Sequence, residues 1–341
     1  MPTKTPVIPN AAARESSLNT TTVSIVIPNW NGIDYLEQLL KSIDMQTYAN
    51  HEVIVVDCVS SDNSVSFIRE NFPHFKLIEL DVDNGPTNAL KVGVDSSGGD
   101  YVLLLNNDVI LPPDCLDVLV HMLKLNEDSV ISPIELDFSG KYRRAGECFS
   151  LLPMFFKRFG TDGEVGPFYP LVACCICTRE TLVDTPFNVN LWMYEELEWA
   201  WRLRLKRTKI EICYDTYYLH KGEATSTGNS PKQAFLYGRL MIAQCFICLK
   251  TTTLFILSPF IVKYYLKLWG GYIKRRQWRS LVSGVKGFVN FFLNIRLFIS
   301  DRDRAQSQRK IGDWSILRAM NGSLIHLDRA REKYERMNFV Q

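Results

Sequence analysis

The stretch that decides the fold is VSIVIPNWNGIDYLEQLLKSIDMQTYANHEVIVVDCVSSD, residues 23–62. Its apolar runs at 23–27 and 53–56 predict two strands, the second of them buried on both faces. Between them, residues 34–45 have the periodicity of a helix whose apolar residues share one face: Tyr35, Leu36, Leu39, Leu40 and Ile43. The stretch therefore predicts one βαβ unit.

The same alternation continues as far as residue 105. Helical patterns at 64–71 and 87–96 alternate with strand patterns at 75–80 and 101–105. We therefore expect an α/β fold, in which a mostly parallel, Rossmann-like mixed sheet has helices on both faces. Ligands of such sheets bind at the carboxyl ends of the strands.

Polar segments follow three of the predicted strands. They are Pro28-Asn29-Trp30-Asn31-Gly32, Asp57-Cys58-Val59-Ser60-Ser61-Asp62 and Asn106-Asn107-Asp108. Each residue alone has a structural explanation, since Asp62 can cap a helix, Asn31 can turn the chain and Asp57 can bind loop amides. Three polar segments at one sheet edge are more specific, and they predict a binding site there.

Length and composition set the outer limits. With 341 residues and 46% apolar content, the chain can bury a sizeable core in one large or two modest domains. The net charge of +2 gives no basis for nucleic-acid binding. We expect a flexible leader at 1–22 without the features of a secretory signal, an α/β domain at 23–230 and a helical region at 231–341.

The nine cysteines lack the spacing of a zinc site. Cys174, Cys175 and Cys177 lie in an apolar run, which favours reduced and buried thiols. Reduced thiols in turn predict a cytoplasmic location.

The last third of the chain is apolar and basic. Residues 251–269 contain Pro259, Lys263 and Lys267, so a helix lying on a membrane is favoured over one that spans it. Residues 280–300 form a second apolar stretch, and four cations lie between the two: Lys274, Arg275, Arg276 and Arg279. This pattern predicts a surface for anionic lipid, whereas the alternative is an ordinary helical subdomain packed on the sheet.

Six segments carry sequence motifs, in this order: VSIVIPNWNG (23–32), EVIVVDCVSSDNS (52–64), DNGPTNALKVGV (83–94), GDYVLLLNNDVILPP (99–113), WMYEELEWAWRLR (192–204) and YLHKGEAT (218–225). Together they resemble the inverting family 2 glycosyltransferases of the GT-A fold, particularly their rhamnosyltransferase-like branch. The resemblance extends over about two-thirds of the chain, residues 23–227. The resemblance implies a nucleotide-diphosphate sugar donor, either a UDP-sugar or a dTDP-sugar.

The resemblance also implies a divalent cation, Mg²⁺ or Mn²⁺. Asp108 matches its carboxylate ligand, and His220 can add a contact to the metal or the phosphates. Donor contacts are assigned to the strand ends and the segment before the third predicted helix. These residues are Pro28, Trp30, Asn31, Asp57, Asp62, Asn84 and Asn106.

An inverting transfer needs a general base to take the proton of the acceptor hydroxyl. Glu196 matches the family's base if one residue is deleted after Tyr194, and Glu195 is the alternative. Both can instead be acidic residues that favour the start of a helix.

The resemblance and the basic tail together imply the acceptor. We expect a lipid-linked glycan, modified by an enzyme that is peripheral on the cytoplasmic face of the membrane. Two alternatives remain open: a nucleotidyltransferase, or a catalytically silent nucleotide-binding or scaffold protein. Cys58, Lys91 and Asn106 favour the silent protein because they depart from the family's common residues at motif positions.

Overall fold

The computed structural model describes residues 21–149, 166–191, 196–222 and 230–337. The predicted leader at 1–22 therefore lies almost entirely outside the described residues. The strands are β1 (Val23–Asn29), β2 (His51–Asp57), β3 (Lys76–Glu79), β4 (Tyr101–Leu105), β5 (Val109–Ile110), β6 (Ser129–Leu136), β7 (Tyr142–Arg144), β8 (Cys174–Thr178) and β9 (Lys209–His220).

Helices alternate with these strands and then occupy the last third of the chain. They are α1 (Ile33–Asp44), α2 (Ser64–Asn71), α3 (Pro86–Asp95), α4 (Cys115–Leu125), α5 (Arg179–Asp184), α6 (Glu196–Leu205), α7 (Pro231–Cys248), α8 (Thr251–Lys274), α9 (Trp278–Leu293), α10 (Ile295–Ser307) and α11 (Asp313–Met337).

The strands form one mixed sheet in the order β3-β2-β1-β4-β8-β6-β9-β5, and β7 pairs with β6. The half of the sheet from β3 to β4 is parallel, as the βαβ pattern predicts. In the other half, β8 pairs antiparallel with β4, β9 pairs parallel with β6, and β5 pairs antiparallel with β9. The α/β fold with a mixed, mostly parallel sheet is confirmed.

Apolar side chains explain why the sheet and its helices pack together. The predicted face of α1 is buried at Leu36, Leu39, Leu40 and Ile43. It packs on alternate residues of β1, including Ile25 and Ile27, while Val26 faces a second cluster on the opposite side with Leu90 of α3. Burial on both faces leaves the carboxyl ends of the strands as the part of the sheet that is open to a ligand.

The helical region packs on the sheet domain through its own apolar cluster. This cluster joins Trp201 and Leu205 of α6 to residues of α7, α8, α9 and α10, such as Phe291 and Phe298. Lys310 also donates its backbone N–H to the carbonyl of Leu205 at 2.7 Å. The region is therefore a helical subdomain that packs on the sheet domain. This packing was the alternative to a membrane surface for residues 251–300.

Two boundaries in the helical region differ from the sequence patterns. The pattern at 251–269 belongs to a longer helix, α8, that ends at Lys274. The pattern at 280–300 is divided at Asn294 into α9 and α10, which meet at 68°. In the described part of the chain no one helix meets the length and hydropathy needed to cross a membrane, and only this bent pair does so jointly.

Candidate functional site

Asp57 is held by a hydrogen-bond cluster at the carboxyl ends of β1 and β2. The two strands are in parallel register with Asn29 opposite Asp57, so their end residues lie side by side. The Asn29 amide donates to Asp57 at 2.8 Å, and the Ser60 backbone N–H and hydroxyl donate at 2.8 and 2.6 Å. Asp57 is 2% exposed. These bonds fix its carboxylate at the predicted ligand edge.

Asn31 and Asp62 shape the loop beside Asp57. The Asn31 side-chain oxygen accepts the Ser61 N–H at 2.8 Å, and Asn31 itself has a left-handed φ of 48°. Asp62 accepts the N–H of Ile33, the first residue of α1, at 3.0 Å. Burial alone would raise the pKa of Asp62, but hydrogen bonds from Ser64 and the Ile33 amide lower it below its usual value. Both residues therefore have a structural role, and direct donor contacts by them stay predictions.

The other predicted donor residues lie around the same edge. Trp30 is 51% exposed and follows the partly buried Pro28 at the end of β1. Asn84 is exposed in the segment before α3, and Asn106 is partly buried after β4. The neighbouring Asn107 donates to Asn29 at 3.0 Å and so joins the loop after β4 to the Asp57 cluster.

Asp108 and His220 come together because β5 pairs with the end of β9. Val109 lies opposite His220, and the backbone N–H of Lys221 donates to the Asp108 carbonyl at 3.1 Å. The His220 Nε2 then lies 3.2 Å from an Asp108 carboxylate oxygen. Both side chains are largely buried, at 6% and 7% exposure. The sheet thus assembles the predicted metal pair.

Behind this pair lies Glu135, which sequence reasoning missed. The His220 Nδ1 is 3.2 Å from Glu135 Oε1, while Arg144 Nε and the Tyr218 hydroxyl donate to Glu135 Oε2 at 2.8 Å each. Arg144 also pairs with Glu147. A partly buried chain of charges therefore runs from Asp108 to Glu147, and His220 contacts two of its carboxylates. We call it the Glu135 network.

Charge in the Glu135 network shifts the protonation of its members. Burial would lower the pKa of His220, but its contacts with Asp108 and Glu135 raise it to about 9. Burial would raise the pKa of Glu135, but His220 and Arg144 lower it to about 2. Without a metal, His220 is therefore an imidazolium between two carboxylates at neutral pH.

Glu196 begins α6 and lies within the electrostatic influence of the same network. Removal from water raises the pKa of Glu196, and Glu147 adds to the rise while Arg144 opposes it. The nearby Glu198 is fully buried and paired with Arg202 at 2.7 Å, so its role is structural. Glu195, the alternative base, lies outside the described residues.

The sequence contains only faint signals for the residues that were missed. Glu135 is the one charged residue in the strand SVISPIEL, whose eight residues are all buried. A buried carboxylate needs a partner, so this position could have indicated a polar network. Its partners in β7 and β9 could not be identified, because strand periodicity does not say which strands pair.

The residues present can hold a hard divalent cation only together with other ligands. Among the described residues, no group of three or more His, Cys, Asp and Glu side chains has the arrangement of a metal site. Asp108 and His220 offer one carboxylate and one imidazole at 3.2 Å from each other. Magnesium is commonly held by one or two carboxylates plus substrate phosphates, so the pair fits a cation that arrives with a diphosphate.

The sequence matches the family model described as Glycosyl transferase family 2 over residues 24–178. An uncharacterized glycosyltransferase of Haemophilus influenzae is 30% identical over 112 residues, which cover 32% of this chain and 45% of that protein. The match thus spans less than half of this relative's length.

Two solved structures are similar in fold. S. aureus TarS, residues 1–349, in complex with UDP-GlcNAc has a TM-score of 0.54 at 17% identity, covering 92% of both chains. GalNAc-T7 with UDP, GalNAc and Mn²⁺ has a TM-score of 0.55 at 14% identity, covering 83% of this chain and 58% of that one. The fold is thus that of the GT-A glycosyltransferases, and the match to glycosyl transferase family 2 extends over residues 24–178, which is less than half of the chain.

Proposed function

We propose that the protein transfers a sugar, with inversion, from a nucleoside-diphosphate donor to a hydroxyl of a lipid-linked glycan. The observation that carries the proposal is the meeting of the Asp57 cluster and the Asp108–His220 pair at the carboxyl end of one sheet. Ligands of open α/β sheets bind at this edge. The complexes of TarS with UDP-GlcNAc and of GalNAc-T7 with UDP and Mn²⁺ support a nucleotide-sugar donor.

The Asp57 cluster is suited to the nucleoside. Its carboxylate has one oxygen shared by Asn29 and Ser60, so its orientation is set before a ligand arrives. A carboxylate held in this way can accept hydrogen bonds from a base or ribose. The exposed face of Trp30 offers a stacking surface beside it.

Asp108 and His220 would hold Mg²⁺ or Mn²⁺ together with the donor diphosphate. When bound, the cation would offset the charge that develops on the leaving diphosphate. Glu135 lies 3.2 Å from the other ring nitrogen of His220, a position from which carboxylates commonly orient histidine ligands.

Glu196 is the proposed general base. Its pKa is raised and is thus closer to the working pH. A base with such a pKa is still partly ionised and also has a higher affinity for the proton. It would accept the proton of the acceptor hydroxyl as the hydroxyl oxygen attacks the anomeric carbon. Glu195 remains the alternative for this step.

The membrane part of the proposal rests on an exposed apolar stripe along α9. Its members recur at intervals of four and three residues, the spacing of one helix face. They are Trp278, Val282, Val285, Val289 and Phe292, each between 37% and 58% exposed. Soluble helices normally bury such a stripe, and α9 instead buries another face, at Ser280, Gly284, Gly287 and Phe291.

Charge identifies the proposed occupant of this surface as anionic lipid. Residues 251–300 contain eight Lys and Arg and no Asp or Glu. Apolar side chains among exposed cations are suited to the headgroup region of an anionic leaflet. Together with the nine free cysteines, they support a peripheral location on the cytoplasmic face.

A donor screen tests the proposed activity. Purified protein is incubated with UDP- and dTDP-sugars, Mg²⁺ or Mn²⁺ and a lipid extract, and release of nucleoside diphosphate is measured. We expect release that needs both the cation and the lipid extract. Binding without turnover for every donor would favour the silent nucleotide-binding protein, and release of pyrophosphate from a sugar phosphate and a nucleoside triphosphate would favour a nucleotidyltransferase.

A further inference from the structure

A cavity of about 470 Å³ opens beside the Asp108–His220 pair. Its wall combines the first turn of α1, the turn after β6, the strand β7 and the residues that follow β9. The wall includes Tyr35, Asp137, Phe138, Arg143, Lys221 and Gly222. Because Lys221 follows His220 and bonds to the Asp108 backbone, the cavity adjoins the proposed donor site.

Two cations and one carboxylate line this cavity. Lys221 is exposed, and within the described part of the chain no carboxylate forms an ion pair with it. Arg143 lies 3.6 Å from Glu135, but that carboxylate is already shared with Arg144 and His220. The guanidinium of Arg143 also donates to the Lys221 carbonyl at 3.0 Å, which holds the two cationic residues together.

Asp137, the carboxylate in the cavity wall, is used by its own turn. One of its oxygens accepts the backbone N–H groups of Ser139 and Lys141 at 2.9 and 3.0 Å, as well as the Ser139 hydroxyl. The turn thus fixes the Asp137 carboxylate, and its charge also attracts Arg143. The second cation, Lys221, leaves the cavity wall with an excess of positive charge.

Gly222 lets Arg143 occupy its position. The glycine has a left-handed φ of 59°, and a Cβ built there would lie 2.1 Å from an Arg143 nitrogen. A side chain at 222 would therefore displace the guanidinium. The close approach indicates that the end of β9 is shaped around Arg143.

Aromatic groups complete the wall. Phe138 is 38% exposed, and the Lys221 ammonium lies 5.9 Å from its ring centroid. Tyr35 lines the same cavity from α1. Aromatic faces pack on the apolar faces of sugar rings, and adjacent cations bind phosphate oxygens.

We propose that this cavity binds the acceptor as a glycosyl phosphate, with the sugar against Phe138 and Tyr35 and the phosphate on Arg143 and Lys221. The inference rests on the proposed function and names the acceptor class. A lipid-linked glycan presents such a group where its first sugar joins the carrier. The donor diphosphate also offers phosphate oxygens to Arg143 and Lys221. The test must therefore distinguish binding of the acceptor from binding of the donor.

Calorimetry with glucose 1-phosphate tests the assignment. The protein is first saturated with Mg²⁺ and a nucleoside diphosphate, UDP or dTDP, so that the donor position is filled. We expect glucose 1-phosphate to bind, methyl glucoside to bind at least about tenfold more weakly, and inorganic phosphate to compete, because charge-assisted hydrogen bonds dominate the contact.

Variants identify the residues responsible. Lys221→Gln and Arg143→Gln should each weaken glucose 1-phosphate binding about tenfold. Lys41→Gln, at an exposed lysine of α1 paired with Glu37, is the matched control and should leave the binding unchanged. Thermal unfolding shows whether each variant is still folded. If Arg143→Gln is not, Lys221→Gln still tests the proposal, because Lys221 is exposed.

Three results would overturn the proposal. They are equal binding of glucose 1-phosphate and methyl glucoside, unchanged binding in Lys221→Gln, and an equal loss of nucleoside diphosphate binding in that variant. The last would assign the cations to the donor. A wild-type protein that binds nucleoside diphosphate but not glucose 1-phosphate would overturn this inference alone, whereas binding of neither would count against the proposed function.

Discussion

At the scale of single residues, Asp108 supplies the only carboxylate of the Asn106-Asn107-Asp108 segment. Asp108→Asn keeps the side-chain volume but removes the negative charge that a hard cation requires. We expect metal-dependent donor binding to be lost, as measured by titrating nucleoside diphosphate with and without Mn²⁺. Asp95→Asn, at an exposed position of α3, is the matched control. Donor affinity that survives both the Asp108 substitution and a chelator would show that the metal assignment is wrong.

Glu196→Gln removes the proposed base while keeping its shape. Turnover should fall by about a hundredfold or more, as expected for loss of general base catalysis, while donor affinity is retained. Glu195→Gln should have a smaller effect, and the opposite ranking would move the role to Glu195. Steady-state kinetics with donor and acceptor varied separately measures both quantities.

The raised pKa of Glu196 predicts how activity and stability depend on pH. The acidic limb of the kcat/KM profile should lie above the ordinary glutamate value of 4.5, since the base must be ionised. In the folded state the carboxyl holds its proton to higher pH than in the unfolded state. Its contribution to the free energy of unfolding is therefore full below pH 4.5 and is lost as pH rises through the raised value.

Glu196→Gln should consequently be at least as stable as wild type near pH 8, although it is less active. Thermal unfolding at pH 4.5 and pH 8 checks this point. A variant that is less stable than wild type at pH 8 would show that the ionised carboxylate stabilises the fold, contrary to the direction of the pKa shift.

At the scale of elements, α7 and α9 approach closely through glycines. A Cβ built at Gly287 would lie 1.9 Å from the Phe235 carbonyl, and one at Gly238 would lie 2.0 Å from the Gly284 carbonyl. Gly287→Ala should therefore separate the helices and lower the free energy of unfolding by about 1–3 kcal/mol.

Gly270 provides the control for this prediction. It lies within α8 with no atom within 4 Å of a built Cβ. Gly270→Ala should be neutral, or stabilising by up to about 1 kcal/mol, because alanine favours a helix. Chemical denaturation of both variants measures the difference, and equal effects would contradict close packing as the cause.

Element boundaries were predictable where apolar periodicity is strong. The patterns at 64–71 and 101–105 match α2 and β4, and that at 34–45 matches α1 to within one residue. The division at Asn294 was not predictable, since the apolar pattern runs through it. Both α9 and α10 contact α7, and such tertiary contacts have no local signal in sequence.

At the scale of the whole molecule, the exposed stripe of α9 predicts membrane association. The protein should co-sediment with anionic liposomes, bind neutral ones less well and be released by salt, because each nearby cation adds about 1 kcal/mol of attraction. Joint replacement of Lys274, Arg275, Arg276 and Arg279 by Glu should weaken binding without unfolding the sheet domain.

A second variant separates apolar insertion from charge. Val282, Val285 and Val289 are replaced together by Ser, which removes the centre of the stripe without altering the charge. Binding to anionic vesicles should fall in this variant as well. Wild-type protein that remains in the supernatant with anionic vesicles at low salt would contradict membrane association and favour a water-soluble acceptor.

The sequence by itself determined the parallel half of the sheet and the edge at which the site lies. Apolar runs such as 53–56 are long enough to specify strands, and polar residues at the strand ends follow directly from them. Asp57 and Asp108 could thus be assigned to one edge before any contact was known. The pairing of His220 with Asp108 was expected only through the resemblance to a family.

Tertiary structure decided what surrounds those residues. Glu135, Arg144 and Tyr218 meet because β6 lies between β8 and β9 and pairs with β7, an order that strand periodicity does not contain. The same order brings the end of β9 beside β5, and so places the cations of the cavity next to His220. Side-chain alternation tells which face of a strand is buried, but the neighbouring strand is chosen by the packing of the whole sheet.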